Sequence, residues 1–174
     1  MILLIWFIIV GVRKYFSNVL IYVAALCGII AFIGLFASPL QIQNEHGGWS
    51  AYNVGVYFGD PKASVYKGVA LPIFGYIVPF LMSIFLIVES FKPSLDNRIT
   101  IINTLLAILY FASAVVVLLT KELWLQANGF GETTYIRNGA GPIMAAILSF
   151  LAGALLLIVT WVPSRKIIDY IDSK

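Results

Sequence analysis

Cysteine, histidine and deeply placed charge are nearly missing from this chain, and each shortage closes off a class of chemistry. Among 174 residues there is one cysteine, Cys27, and one histidine, His46. A lone thiol forms no intrachain disulfide, no CxxC redox pair and no cysteine-built zinc site. A lone histidine cannot supply both axial ligands of a haem within the chain. Its neighbours Glu45 and Asp60 match no zinc spacing. Charged residues make up 11% of the chain, against roughly 25% in soluble domains.

Reaction chemistry is correspondingly thin. No histidine or lysine lies in an apolar block to activate a serine. There is no GxxxxGK[ST] loop and no cluster of aspartates to hold a catalytic metal. Enzymatic activity, a cofactor and a bound metal are therefore not expected. The net charge of +3 is too small to mark a nucleic-acid surface.

What the chain has in abundance is apolar sequence, 61% of all residues. It is gathered in four blocks, about 18–36, 69–88, 99–119 and 140–162, with no charge in the middle of any. Each is long enough, at about 1.5 Å per helical residue, to cross a hydrocarbon core of about 30 Å. A soluble bundle would show apolar stripes instead of blocks. The expected fold is an all-α integral membrane protein, a bundle of four transmembrane helices over 17–162. Loops 39–68 and 121–138 face one side, and a tail, 163–174, lies at the other.

Met1–Val12 is also apolar, with Arg13 and Lys14 after it. A signal peptide has the opposite order, and twelve helical residues reach only about 18 Å. Three readings stand for 1–16. It is a non-spanning segment against the membrane or a partner, a helix continuous with the first span, or the product of a start site assigned too far downstream.

Positive charge sets the topology. Arg13, Lys14, Lys92, Arg98, Arg165, Lys166 and Lys174 fall on the side of the termini, and only Lys62, Lys67, Lys121 and Arg137 on the other. Both termini are expected in the cytoplasm, with Trp161 at the inner boundary and Trp124 at the outer one. Asp96 and Asn97 can cap the third span. Pro142 suits the first turn of the fourth, and Pro163 ends it. In the tail, Ile167, Ile168 and Ile171 share one helical face, as in an interfacial helix.

The first outer loop alternates over Tyr52–Phe58, with Val54 and Val56 between, which predicts a strand. Gly59-Asp60-Pro61 reads as a turn, Ala63–Lys67 as a return strand, and Thr133–Ile136 as a further β-prone stretch. A small sheet capping the bundle is expected, with Trp49, Tyr52, Tyr57, Phe58 and Tyr66 as a contact surface or as rings dipping into headgroups.

Within the helices, Gly141, Ala145, Ser149 and Gly153 repeat every four residues and share one face. Ala24, Cys27, Ala31 and Gly34 make a looser seam in the first span. Small residues at this spacing allow close helix approach in lipid. The two seams face each other inside the bundle or dock a partner. Pro72, Gly75 and Pro79 predict a kinked second span with a niche beside it. Asn103, Thr104, Ser113 and Tyr110 are the polar residues from which a path could be built.

This layout resembles that of claudin-type tetraspan proteins: inner termini, four spans, a longer β-prone first outer loop and a shorter second one. Trp49 beside Gly47-Gly48 sits where those proteins carry a tryptophan motif. The paired loop cysteines of that family are absent here, so the resemblance covers topology alone. Small multidrug transporters share the span count but need a glutamate deep in the first span, where this chain has none.

The expected role is a non-enzymatic accessory or scaffolding subunit of a larger membrane complex, working through helix faces and the first outer loop. Its partners would be the lipid bilayer and other membrane subunits. The other readings are a small homo-oligomeric channel or transporter and a lipid- or quinone-binding protein. High isoleucine content and the lack of N-x-[ST] sites suit a bacterial plasma membrane.

Overall fold

The computed structural model describes residues 2–52, 56–59, 66–90 and 96–161, with side chains over 18–52, 56–59, 66–90 and 101–160. The first helix, α1, runs from Ile2 to Ile33 without interruption. Its 32 residues measure roughly 48 Å, well beyond a bilayer core. The backbone of the N-terminal segment is helical from Ile2 and continuous with the first span. A 3-10 turn, Gly34–Phe36, closes it.

Strands β1 (Leu40–Gln43) and β2 (Trp49–Tyr52) follow. Next come α2 (Leu71–Ser90), α3 (Asp96–Leu118) and the short α4 (Thr120–Ala127). Strand β3 (Ile136–Asn138) leads into α5 (Ala140–Trp161). Four segments are long and apolar enough to cross a membrane: Asn18–Phe36, Leu71–Ser90, Ile101–Leu118 and Ala140–Thr160. They form a closed ring in which α1 packs on α2 and α5, and α3 packs on the same two.

The ring is turned inside out relative to a water-soluble bundle. Its interior holds Ala24, Ala31, Ala107, Ala145 and Ala152, all buried. Its outside carries Leu26, Leu81, Leu105, Ile108, Ile147 and Phe150, all exposed. In lipid, large apolar side chains gain nothing by turning inward, and small ones let backbones touch.

Three strands cap one end in the order β2-β1-β3. Leu40 pairs with Tyr52 and Asn138, and Gln41 with Ala51 and Arg137, both antiparallel. The sheet is therefore present in the loops, but its strands differ from those expected. Among the described residues of Tyr52–Phe58, the strand stops at Tyr52 and Val56–Phe58 is a turn. The expected alternation fails because Val56 is buried and Phe58 exposed, although a period of two would put both on one face. Residues 53–55 of that stretch, and 63–65 of the expected return strand, lie outside the described residues. So do Lys92, Pro163 and the tail, and likewise the side chains of Asp96, Asn97 and Trp161.

Strand β1 alternates Leu40 and Ile42 with Gln41 and Gln43 and puts Leu40 fully inside. Its hairpin turns on Gly47, at φ +79°. The Gly48 amide donates to Asn44 Oδ1 at 2.7 Å, and the Asn44 amide to the Gly48 carbonyl at 2.8 Å. An Asx-type turn with glycine in the left-handed region is a standard hairpin solution.

Candidate functional site at the capped end of the bundle

The cap is welded to the spans by one continuous core. Leu40, Val56, Tyr57, Trp124 and Leu125 from the loops pack with Ala31, Tyr76, Val117 and Ala145 from the helices. Tyr52, Tyr66 and Phe130 lie against Trp124 with ring centres 5.4 to 5.8 Å away. Trp124 is only 2% exposed, so it is a core residue of the cap. The expectation that it anchors at the outer interface is thus corrected: α4 folds it inward beneath the first loop.

Three side chains stitch the loops to the helices. Tyr57, 7% exposed, shares a hydrogen bond of 2.9 Å with Tyr76 of α2 and meets Thr120 of α4. Burial raises its phenol above the ordinary value of 10, the two hydrogen bonds opposing that shift. Asn128 accepts from the Lys67 amide at 2.6 Å and donates to the Lys67 and Trp124 carbonyls at 3.1 and 2.8 Å. Asn138 accepts from the Lys121 amide at 3.1 Å and donates to the Leu118 carbonyl at 2.7 Å. The break between α3 and α4 at Leu119 frees those two backbone groups, and buried or not, such groups need partners.

On the water-facing side of the sheet, Arg137 lies over the Trp49 ring at 3.9 Å and donates from Nε to Gln41 Oε1 at 2.8 Å. This edge opens into a cleft of about 540 Å³ lined by Trp49, Lys121, Glu132, Thr133, Thr134, Ile136 and Arg137.

The aromatic contact set divides. Phe58 is 83% exposed and Trp49 partly so, whereas Tyr57 is buried and Tyr52 and Tyr66 are half-buried on Trp124. Tyr57 is therefore unavailable as a surface contact, because its hydroxyl is needed inside.

Both small-residue seams are spent within the chain. Gly141, Ala145, Ser149 and Gly153 are all buried, as are Ala24, Cys27, Ala31 and Gly34. A Cβ on Gly34 would lie 3.0 Å from the Gly141 carbonyl and 3.3 Å from Ala145. Gly139 and Gly141 let the backbone at Ser38 close in, and the Gly141 amide donates to Ser38 at 3.1 Å. Gly153 serves α3 instead: a Cβ there would lie 3.1 Å from the Ala107 carbonyl. As docking faces for another subunit these seams are covered.

The inner side of Pro79 is filled. Ser83 donates to the Pro79 carbonyl at 2.7 Å, and Tyr110 donates to Ser83 Oγ at 2.8 Å with its own oxygen 3.3 Å from the same carbonyl. Gly28 of α1 closes over this group; a Cβ there would collide with Ser83 Oγ. Pro72 and Gly75 are likewise buried, Gly75 against Val117. On this side the described residues leave Pro79 covered by its own bundle. The spacing of small residues did not single out Gly28, because what requires it is a pair of hydroxyls from other helices.

The four residues named as a polar path lie at different places in the packing. Asn103, Tyr110 and Ser113 are buried and Thr104 half-buried. Ser113 donates to its own helix at Leu109, 2.8 Å away. Asn103 precedes Tyr110 by about two helical turns, roughly 10 Å, too far for a relay. Among the described residues no three of His, Cys, Asp and Glu come together. Comparison with known protein families, characterised proteins and solved structures finds no match to this chain.

Proposed function

We propose that this protein is a non-enzymatic accessory or scaffolding subunit of a larger membrane complex, meeting its partner through the exposed rim of the cap. The observation that carries this reading is what the fold leaves outside after its own packing is complete. The seams and the hydroxyls at Pro79 are consumed internally. Phe58 and Tyr135 stand 83% and 65% exposed on a cap whose core is continuous with the spans. Aromatic side chains on a rigid base, ringed by polar groups, have the composition of interface anchors.

The aliphatic belt of the helices supports a role for the spans as anchor. Positive charge favours both termini in the cytoplasm and the cap outside, and high isoleucine content with the lack of N-x-[ST] sites favours a bacterial plasma membrane. Extraction from the native membrane in polymer nanodiscs, followed by native mass spectrometry, tests the reading. A second polypeptide in fixed stoichiometry is expected, lost in Phe58→Asp while the chain itself stays folded. A lone monomer refutes it.

A further inference from the structure

We propose that the cleft between Lys121 and Arg137 binds the phosphodiester headgroup of a phospholipid from the leaflet at the capped end. The two cations come from different elements yet share one depth. Lys121 lies three residues after Leu118, where the third span ends, and Arg137 three residues before Ala140, where the fourth begins. The Asn138 bonds to Leu118 and Lys121 hold these span ends together.

Arg137 is prepared as a donor. Its Nε is engaged by Gln41 and its plane is held on Trp49. Its two terminal amino groups, and the Lys121 ammonium, have no hydrogen-bond or ion-pair partner among the described residues. A fixed guanidinium fork beside an ammonium matches phosphate oxygens.

Charge balance narrows the ligand. The lining carries Lys121, Arg137 and Glu132, a net single positive charge, which suits the single negative charge of a phosphodiester. Glu132 and the hydroxyls of Thr133 and Thr134 then face the alcohol part of the headgroup. A carboxylate there favours a headgroup that donates, an ethanolamine ammonium or a glycerol hydroxyl, over choline, which has no N–H or O–H. Below the cleft, Leu118, Ile143 and Ile147 are exposed and offer an apolar surface to the acyl chains.

Native mass spectrometry of the full chain with added phosphatidylethanolamine, phosphatidylglycerol or phosphatidylcholine tests the assignment. The first two should be retained and the third not. Arg137→Gln and Lys121→Gln should each weaken retention by about tenfold, the loss expected for a charge-assisted contact. Lys121→Gln removes a side chain that the cap does not use, so its effect is separable from misfolding. Glu132→Gln should reduce phosphatidylethanolamine retention more than phosphatidylglycerol retention. Equal retention of all three lipids, or unchanged retention in both cation variants, overturns the site. Displacement of the lipid by millimolar inorganic phosphate would overturn the lipid as its source.

Discussion

Adding one methyl group at Gly28 provides the sharpest test of how the bundle is packed. A Cβ there would lie 2.7 Å from the Tyr110 hydroxyl and 2.8 Å from the Pro79 carbonyl, and would overlap Ser83 Oγ. Ordinary contact begins near 3.4 Å, so α1 must retreat by about 0.6 to 0.7 Å to clear the Pro79 and Tyr110 oxygens and further to clear Ser83 Oγ, or the hydroxyls must swing away. The Pro79 oxygen is backbone and cannot swing. Retreat opens the α1–α2 contact along its length, and overpacking of this kind costs about 1–3 kcal/mol. Swinging breaks the Ser83–Tyr110 bond, which adds roughly 0.6 kcal/mol at a typical intramembrane value. Against this, alanine improves helix propensity by about 1 kcal/mol over glycine. The net expectation for Gly28→Ala is destabilisation by about 1–2 kcal/mol, measured by thermal or denaturant unfolding in detergent. Ser83→Ala removes the closest clash. The double variant should therefore be more stable than the two single effects predict, by roughly 1 kcal/mol of coupling. If Gly28→Ala is as stable as the parent or more so, propensity alone governs this position and the description of the Pro79 region fails. Additive effects in the cycle would refute the pairwise part.

Tyr57→Phe should cost about 1–3 kcal/mol, because it strands the Tyr76 hydroxyl, and hydrogen exchange should rise first in the cap amides. Adding Tyr76→Phe should recover part of that loss, since an unpaired hydroxyl is then removed. The Tyr57 phenol keeps its proton above pH 10 in the folded chain, whereas the unfolded chain releases it there. The folded state then holds more protons than the unfolded one. Its stability contribution should be intact below pH 10 and decline as pH rises further, visible as a falling unfolding midpoint that Tyr57→Phe makes shallower. Ser149 Oγ has no hydrogen-bond partner among the described residues, so Ser149→Ala should be neutral or stabilising by up to about 1 kcal/mol. A large loss on that change would show a hidden partner. Replacing Ile108, on the exposed side of α3, by Arg should raise the insertion cost by about 2.5–3.5 kcal/mol in a translocon assay.

Sequence patterning reveals the spans more clearly than it reveals the cap, and the reason lies in the solvent. Hydrocarbon tolerates no unpaired backbone, so a long apolar block has only the helix open to it. The expected block of 140–162 and the observed α5, Ala140–Trp161, agree throughout the described residues. The cap is decided by pairings between distant segments. Ile136–Asn138 becomes a strand because it lies beside Leu40–Ile42, and nothing local to Arg137 or Asn138 announces that. The Asn44…Gly47-Gly48 turn was readable, as was the alternation in Leu40–Gln43, but the longer aromatic alternation at Tyr52–Phe58 competed with them. Tyr57 and Trp124 were read as surface rings because composition cannot tell an interface aromatic from one sealed under a loop. The cleft cations were visible only as loop charges; their convergence needs the sheet register.

The division of small and large residues carries a last consequence for where partner specificity resides. Helices in lipid associate through close packing and through polar groups. This chain has directed both inward, with glycine and alanine at the α1–α5 and α3–α5 contacts and hydroxyls at Pro79. Its outward helix faces are leucine, isoleucine, valine and phenylalanine, side chains that discriminate little between a neighbouring helix and an acyl chain. Recognition by the spans would then be weak and unselective, and under the proposed function the cap would supply the shape and charge that distinguish one partner from another. Exchanging outward residues such as Leu105 and Ile147 for alanine should leave complex formation intact, whereas Phe58→Asp should abolish it. The reverse outcome would locate the partner in the membrane and refute the cap as the docking surface.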